Sequence, residues 1–435
     1  MGDYSTNLRT QYLNARTHTT NRRTEFRFDK NTLYQSNIRL INLGLKKAGA
    51  AGEYNGGAGV LSLLQNVRLM DGSRELSSLR NAPAYLGFKN INTTNEKCQN
   101  IHDVLHKSRA SFQLSGVGDV ESSHDSSNVI PQDTFDPKQN GYIDLRLVLP
   151  LLGNLPALDT SVFKNLRIVI EYSNLSQFGS KDKADALTIE EPTLVCDEVV
   201  GEKKMKMLKD AMSGSVVWSE IEHDLFTVPQ ATQPTGGAGG PNELVQSVSA
   251  VVNGFDNKYV SRMLIVKQPN SKVYEYSGNA SLGNGNIQSR AMFKEKLNIR
   301  HKGSNVFNGD GLENVAFRQM LLSETFGDVT VPPFGASTGI GRDPDSGQSI
   351  HVSGQLPVVN AGAAQKKSHR IGQYDYLGFQ MEDVVRQLQF SYERTALKTN
   401  ATNLNNVLAL DVHLYAEVRK SLTFASGGNY DVSYA

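Results

Sequence analysis

The residues of this chain that could do chemistry are few and scattered. Cys98, His102 and His106 fall four residues apart in CQNIHDVLH. On a helix, positions i, i+4 and i+8 share a face, so the three could ligate zinc. A metalloprotease helix needs a glutamate directly after its first histidine as general base, and Asp103 stands there with a shorter reach. No distant fourth ligand stands out. A structural helix with incidental histidines is the better reading.

Gly335-Ala336-Ser337-Thr338-Gly339 fits the G-x-S-x-G string of hydrolases. That motif works only on a sharp strand-to-helix turn that exposes the serine. Pro332-Pro333 precede it and Gly341-Arg342-Asp343-Pro344 follow, so no helix starts there easily. Neither GGAG at Gly56–Gly59 nor GGAGG at Gly236–Gly240 carries the lysine and hydroxyl of a phosphate-binding loop. The paired acids Glu190-Glu191 and Glu382-Asp383 sit at expected strand ends, where solvated charge is the default. Asn92, Asn174, Asn279 and Asn400 open N-x-S/T strings, about what chance gives in a chain rich in asparagine. No catalytic residue, cofactor site or metal site is expected.

Bulk properties narrow the class. A length of 435 residues calls for two or three domains of about 100–200 residues. Basic and acidic residues balance at 45 against 44, so nucleic acid is not the expected partner of the whole surface. Two cysteines, Cys98 and Cys196, exclude a disulfide framework and a four-cysteine zinc site. No stretch approaches the roughly 20 apolar residues of a membrane helix. The start MGDYSTNLRTQYLNART has no apolar core, so it does not read as a secretory signal, and it matches the myristoylation pattern only weakly.

The elements that would position any site are strands. Glycine occurs 38 times, and Gly/Asn/Asp/Ser clusters separate short segments of apolar alternation. The first half predicts strands at Asn37–Leu45, Val60–Met70, Tyr142–Leu149, Asn165–Tyr172 and Leu187–Val195. In NLRIVIEY, Leu166, Ile168 and Ile170 face one way and Arg167, Val169 and Glu171 the other. Glu96–Lys107 predicts a short helix, and Gly201–Gly214 a charged helical connector between domains. The second half predicts strands at Val216–Val228, Leu244–Val252, Tyr259–Val266, Met292–Arg300, Tyr374–Met381, Gln387–Arg394 and Val407–Val418. QNVRLMDGS (65–73) and LNIRHKGS (297–304) echo one another, each running into a Gly-Ser turn, which suggests a duplicated domain.

Read in order, these features resemble the double jelly-roll major capsid proteins of large icosahedral DNA viruses. Leu63-Leu64-Gln65-Asn66-Val67-Arg68 leads to Asp71-Gly72, similar to the family's leucine run and glycine hairpin. Leu147–Leu152, Asn154–Leu158 and Leu166–Tyr172 follow its strand, proline-leucine loop and paired strand. The ending Leu410–Ala416, Ser421–Phe424, Ser426-Gly427-Gly428 and Tyr434-Ala435 resembles its C-terminal strand and tail. The second-domain hairpin falls either at LNIRHKGS or at Val306-Phe307-Asn308-Gly309. The resemblance implies an all-β chain of two tandem eight-stranded antiparallel jelly-roll β-sandwiches with short helices and long loops. The expected division is an N-terminal arm at 1–36, jelly roll 1 at 37–205 and jelly roll 2 at 206–435.

It also implies a homotrimer forming a pseudo-hexagonal capsomer, a place in the virion shell, and contacts with neighbouring capsomers and minor or penton proteins. The loops Ser115–Gly141 and Phe326–Gly372 are expected in the outer crown or the clamps between subunits. Arg9, Arg16, Arg22 and Arg23 face only Asp3 before Glu25, in a stretch too polar to fold alone. They are expected to meet an anionic inner surface: minor proteins, an internal membrane or the genome. Two other readings compete. One is a minor capsid or vertex protein with a single jelly roll, and the other a secreted carbohydrate-binding sandwich, for which Trp218 alone is a poor supply of stacking surface.

Overall fold

The computed structural model describes residues 7–48, 52–53, 59–91, 105–107, 129–130, 141–174, 187–212, 214–232, 243–269, 293–307, 315–326, 340–342, 349–351, 376–397, 406–407, 409–425 and 429–435.

Sixteen strands carry the architecture. Those of the first half are β1 (Leu8–Leu13), β2 (Arg23–Arg27), β3 (Arg39–Leu43), β4 (Leu64–Asp71), β5 (Arg74–Arg80), β6 (Gly141–Asp144), β7 (Leu166–Tyr172) and β8 (Thr193–Val199). Those of the second are β9 (Ser215–Val228), β10 (Glu243–Val252), β11 (Tyr259–Pro269), β12 (Phe293–His301), β13 (Ser304–Asn305), β14 (Tyr376–Val384), β15 (Leu388–Leu397) and β16 (Leu410–Ala425). Shorter strands are named by their residues. Four helices join them among the described residues: α1 (Ala82–Ile91), α2 (Pro150–Asn154), α3 (Glu202–Ala211) and α4 (Val315–Phe326).

The first half builds one sheet in the order β1-β8-β3-β6 and another in the order β2-β7-β4-β5. The second half builds β9-β16-β11-β14 and β10-β15-β12-β13. Adding eight to every strand number converts the first pair of sheets into the second. Both are eight-stranded antiparallel jelly rolls, in which strands far apart in sequence lie side by side.

The echo between the halves is the β4–β5 hairpin and its copy, β12–β13. Asp71 pairs with Arg74 around Gly72-Ser73, and Gly72 has φ 60°. His301 pairs with Ser304 around Lys302-Gly303, with φ 51° and 80°. A two-residue hairpin needs such left-handed backbone to match the strand twist, which explains the glycine in each. Gly303, not Gly309, therefore turns the second hairpin.

Several expectations are corrected. Residues 8–35 are no free arm. Leu8–Leu13 is the first strand of the first sandwich and pairs with β8, and Arg23–Arg27 pairs with β7. Such polar strands show little apolar alternation, and their stability comes from a partner more than 140 residues away. The predicted strand Tyr142–Leu149 ends at Asp144, where the chain enters a 3-10 turn at Leu145–Leu147 and then α2. Leu145, Val148, Leu149, Leu151 and Leu152 are all buried, and a continuous apolar run does not say which element buries it. The helices α1 and α4 and the strands Arg74–Arg80 and Asn429–Tyr434 were not anticipated. The predicted connector is α3, though no hydrogen-bonding side chain caps its Gly201 start. Of the predicted helix Glu96–Lys107, only residues 105–107 are described.

Strand polarity fixes which connections share an end. The β1–β2, β3–β4, β5–β6 and β7–β8 connections and their copies leave from one end. The two-residue hairpins, α3 and the C-terminal strand lie at the other. Ser115–Gly141 and Phe326–Gly372 fall almost wholly outside the described residues, but they occupy equivalent connections, β5–β6 and β13–β14.

Candidate functional site at the seam between the sandwiches

The most elaborate cluster of polar side chains lies where the two sandwiches meet. It is assembled by Asn81, which follows β5 and precedes α1. Its φ of 50° is left-handed, a conformation asparagine tolerates better than most residues. The Asn81 N–H donates to Asn66 Oδ1 at 3.1 Å, and Asn81 Oδ1 accepts from Gln65 Nε2 at 2.9 Å. From the second sandwich, Tyr415 Oη donates to the Asn81 carbonyl at 2.7 Å, and Asn81 Nδ2 donates to His413 Nδ1 at 2.8 Å. His223 Nε2 lies 3.2 Å from the same His413 nitrogen. Because the Asn81 amide nitrogen can only donate, His413 Nδ1 is an unprotonated acceptor.

Burial holds both imidazoles neutral. His223 is lowered to about 3, chiefly by desolvation and then by His413, while desolvation alone lowers His413 to about 4. Tyr85 of α1 tilts against Tyr415 with ring centroids 5.3 Å apart.

A second polar knot lies lower on the seam. Glu220 is fully buried on β9. Its Oε1 accepts from Ser78 N at 2.8 Å and Ser77 Oγ at 3.1 Å, both on β5, and its Oε2 accepts from Trp218 Nε1 at 2.6 Å. Burial raises its carboxyl to about 7, against the opposing pull of Lys420 and these donors. Below it, the strand Asn429–Tyr434 pairs with β16 and lays Tyr430 on Phe163 of the first sandwich, with ring centroids 5.0 Å apart. The main apolar core is continuous across the seam, running from Leu40, Ile143 and Ile168 to Leu264, Tyr415 and Leu422. A separate core fills the second sandwich around Phe255, Phe379 and Phe390.

Among the described residues, the histidines meet an amide and each other, and no group of three potential metal ligands occurs. Tyr415 and His413 bond Asn81, and Ser77 and Ser78 bond Glu220, so both knots tie the first sandwich to the second.

The fold matches solved structures along nearly its whole length. Against a quasi-atomic model of the PBCV-1 virus capsid the TM-score is 0.53 at 12% identity, covering 99% of this chain and 97% of that one. The mavirus major capsid protein gives 0.53 at 10% identity, covering 99% and 90%. A chain of the Sputnik virophage structure gives 0.55 at 10% identity, covering 98% and 88%. The chain has the double jelly-roll fold. No protein-family profile and no curated protein matches the sequence.

Within the double jelly roll, the residues singled out from sequence do not converge. Arg9 opens β1 and pairs with Glu198 at the end carrying α3. Arg16 and Arg22 are exposed in the β1–β2 connection, and Arg23 opens β2 and pairs with Glu25. At about 3.3 Å per residue, the four steps of β1 from Arg9 to Leu13 span roughly 13 Å. His106 is buried, while Cys98, His102 and Ser337 lie outside the described residues, as do Asn92, Asn279 and Asn400. Asn174 is exposed just past β7. Asp383 pairs with Lys302, and Glu190 with Lys46, as ordinary strand-end charges. Cys196 is buried, and desolvation pushes its thiol up to about 12.

The seam residues were invisible to motif reading. Their only sequence signal is polar or aromatic residues at alternate positions of apolar strands, His413 and Tyr415 in LDVHLYAEV above all.

Proposed function

We propose that this double jelly roll is a structural capsid protein, a shell subunit of a virion rather than an enzyme. The observation that carries the reading is the repetition of one sandwich topology twice in a chain, with a locked seam between the copies. Three such chains present six similar domains, so a threefold assembly fits a six-fold lattice position using a single gene product. The structures it matches include a virus capsid and a major capsid protein.

The finer reading is a homotrimeric, pseudo-hexagonal capsomer that contacts neighbouring capsomers and minor or penton proteins, assembled in the host cytoplasm or nucleus. The division into jelly roll 1 and jelly roll 2 falls within α3, where the 205/206 boundary lies. Arg9, Arg16, Arg22 and Arg23 are the residues through which the N-terminal segment would meet an anionic inner surface, whether minor proteins, an internal membrane or the genome.

The competing readings have less support. A single-jelly-roll minor protein does not fit a chain with two sandwiches. A sugar-binding sandwich would need an accessible ring, and Trp218, the lone tryptophan, is 2% exposed and bonded to Glu220. Electron microscopy of the purified protein tests the proposal. Hexagonal particles of three chains support it, and a monomer at every concentration tried would sink it.

A further inference from the structure

The chain is nearly neutral, with 45 bases against 44 acids, yet its cations are not evenly matched in space. At the end that carries the hairpins and α3, most bases are neutralised by a neighbour. Arg9 pairs with Glu198, Arg74 with Asp431, Lys258 with Glu222 and Lys302 with Asp383. The helix α3 departs from this. Lys209 has an acid, Asp159 at 3.4 Å, whereas Lys203, Lys204 and Lys206 make no ion pair among the described residues.

The two faces of α3 differ because one of them is needed by the fold. Met205, Leu208 and Met212 recur at helical spacing and pack with Leu33, Ala157 and Val199 at the end of the first sandwich. Lys203, Lys206 and Met207 lie three and four residues apart on the opposite side and are exposed. Met207 is 61% exposed, and Val200, just ahead of the helix, is 39% exposed.

The basic field extends beyond the helix. Arg27 and Lys30, where β2 leaves its sheet, and Lys164, just ahead of β7, are exposed at the same end. They too make no ion pair among the described residues. The exposed acids beside them are Asp29, Glu202 and Asp210. Cations left without acids, with apolar side chains standing among them, form a surface that is complementary to something both anionic and apolar.

We propose that α3 and the basic end around it dock on an anionic phospholipid surface. Lysine heads reach the headgroup phosphates while their stems lie along apolar surface. Met207 and Val200 enter the boundary between headgroups and acyl chains, where an apolar side chain leaves water. The phosphates of a nucleic acid would also attract the lysines, but they give an exposed methionine nothing to be buried against. The contact uses residues other than the N-terminal arginines. It belongs to a single chain, so it does not depend on the trimer.

The test is sedimentation of the full-length protein with vesicles of phosphatidylcholine, with and without phosphatidylserine. Binding is expected to the anionic vesicles alone, and it should weaken as salt is raised. Lys203→Glu with Lys206→Glu should reduce the bound fraction at least about tenfold. Met207→Ser, which leaves the charge unchanged, should reduce it about threefold. Lys296→Glu with Arg300→Glu makes the same change in net charge on exposed positions of β12 and should leave binding intact. An unchanged urea midpoint shows that each variant is folded. Absence of binding to anionic vesicles, or an equal loss in the β12 variant, overturns the proposal. So does binding to a duplex oligonucleotide that is tighter than to vesicles and is lost with Lys203 and Lys206, which would assign the face to nucleic acid. None of these outcomes bears on whether three chains form a capsomer, which microscopy decides separately.

Discussion

Tyr430 Oη donates a 2.7 Å hydrogen bond to Asp71 Oδ2, joining the C-terminal strand to the first hairpin of the chain across 359 residues. The other Asp71 oxygen accepts from Asn165 N at 2.6 Å, and Arg74 lies over the Tyr430 ring at 5.2 Å. The strand Asn429–Tyr434 is therefore a clasp. It extends a sheet of the second sandwich and grips the first.

Tyr430→Phe should remove one hydrogen bond to a charged acceptor at the edge of the clasp. The expected loss is about 1.5–3 kcal/mol, read as a lower urea midpoint with an unchanged slope. Truncation after Ala425 should cost more and leave the two sandwiches hinged, visible as a larger radius of gyration in solution scattering.

Asn81→Ala removes the side-chain partners of Gln65 Nε2 and His413 Nδ1 and puts alanine at φ 50°, while the residue's backbone keeps its bonds to Asn66 Oδ1 and Tyr415 Oη. Each buried polar group left without a partner costs about 1–3 kcal/mol. The variant should be destabilised by several kcal/mol, whereas Asn81→Asp should retain the left-handed backbone and lose the donor to His413 alone. Chemical denaturation of both separates the two effects.

Acid should weaken the seam through its histidines and spare it through Glu220. His223 and His413 titrate at about 3 and about 4 in the fold against 6.5 when unfolded. Below pH 6.5 the unfolded chain takes up protons that the folded chain refuses, so stability falls with falling pH. Glu220 is raised from 4.5 to about 7, so its contribution is complete below 4.5 and lost as pH rises through about 7. Between pH 4.5 and 6.5 two groups oppose one. The net loss from these three is about 1.4 kcal/mol per pH unit, and Glu220→Gln should roughly double that slope. Urea midpoints at several pH values in this window check it; equal slopes for the two proteins would contradict the assignment.

Cys196 should resist thiol reagents in the native protein. Its side chain is inside the first sandwich and its thiol is held in the protonated form by burial. Mass spectrometry after maleimide treatment should find Cys196 modified only once denaturant is added.

Gly303→Ala tests the second hairpin. The backbone φ of 80° disfavours any side chain, although no atom lies within 4 Å of the added carbon. The cost should therefore be strain alone, on the order of 1–2 kcal/mol.

The sequence by itself determined the β character, the second sandwich almost strand for strand, the connector helix and the paired Gly-Ser hairpins. Those features are local: alternation at Leu166, Ile168 and Ile170, or a glycine where φ must be positive, is written in adjacent residues. Only the tertiary structure decided that Leu8–Leu13 and Arg23–Arg27 are strands, since polar segments of this kind become strands when β8 and β7 supply the other half of the ladder. The seam was decided the same way. Nothing near Asn81 in sequence announces His413 or Tyr415, because the hydrogen bonds that hold two domains together join residues hundreds of positions apart, where no local pattern can record them.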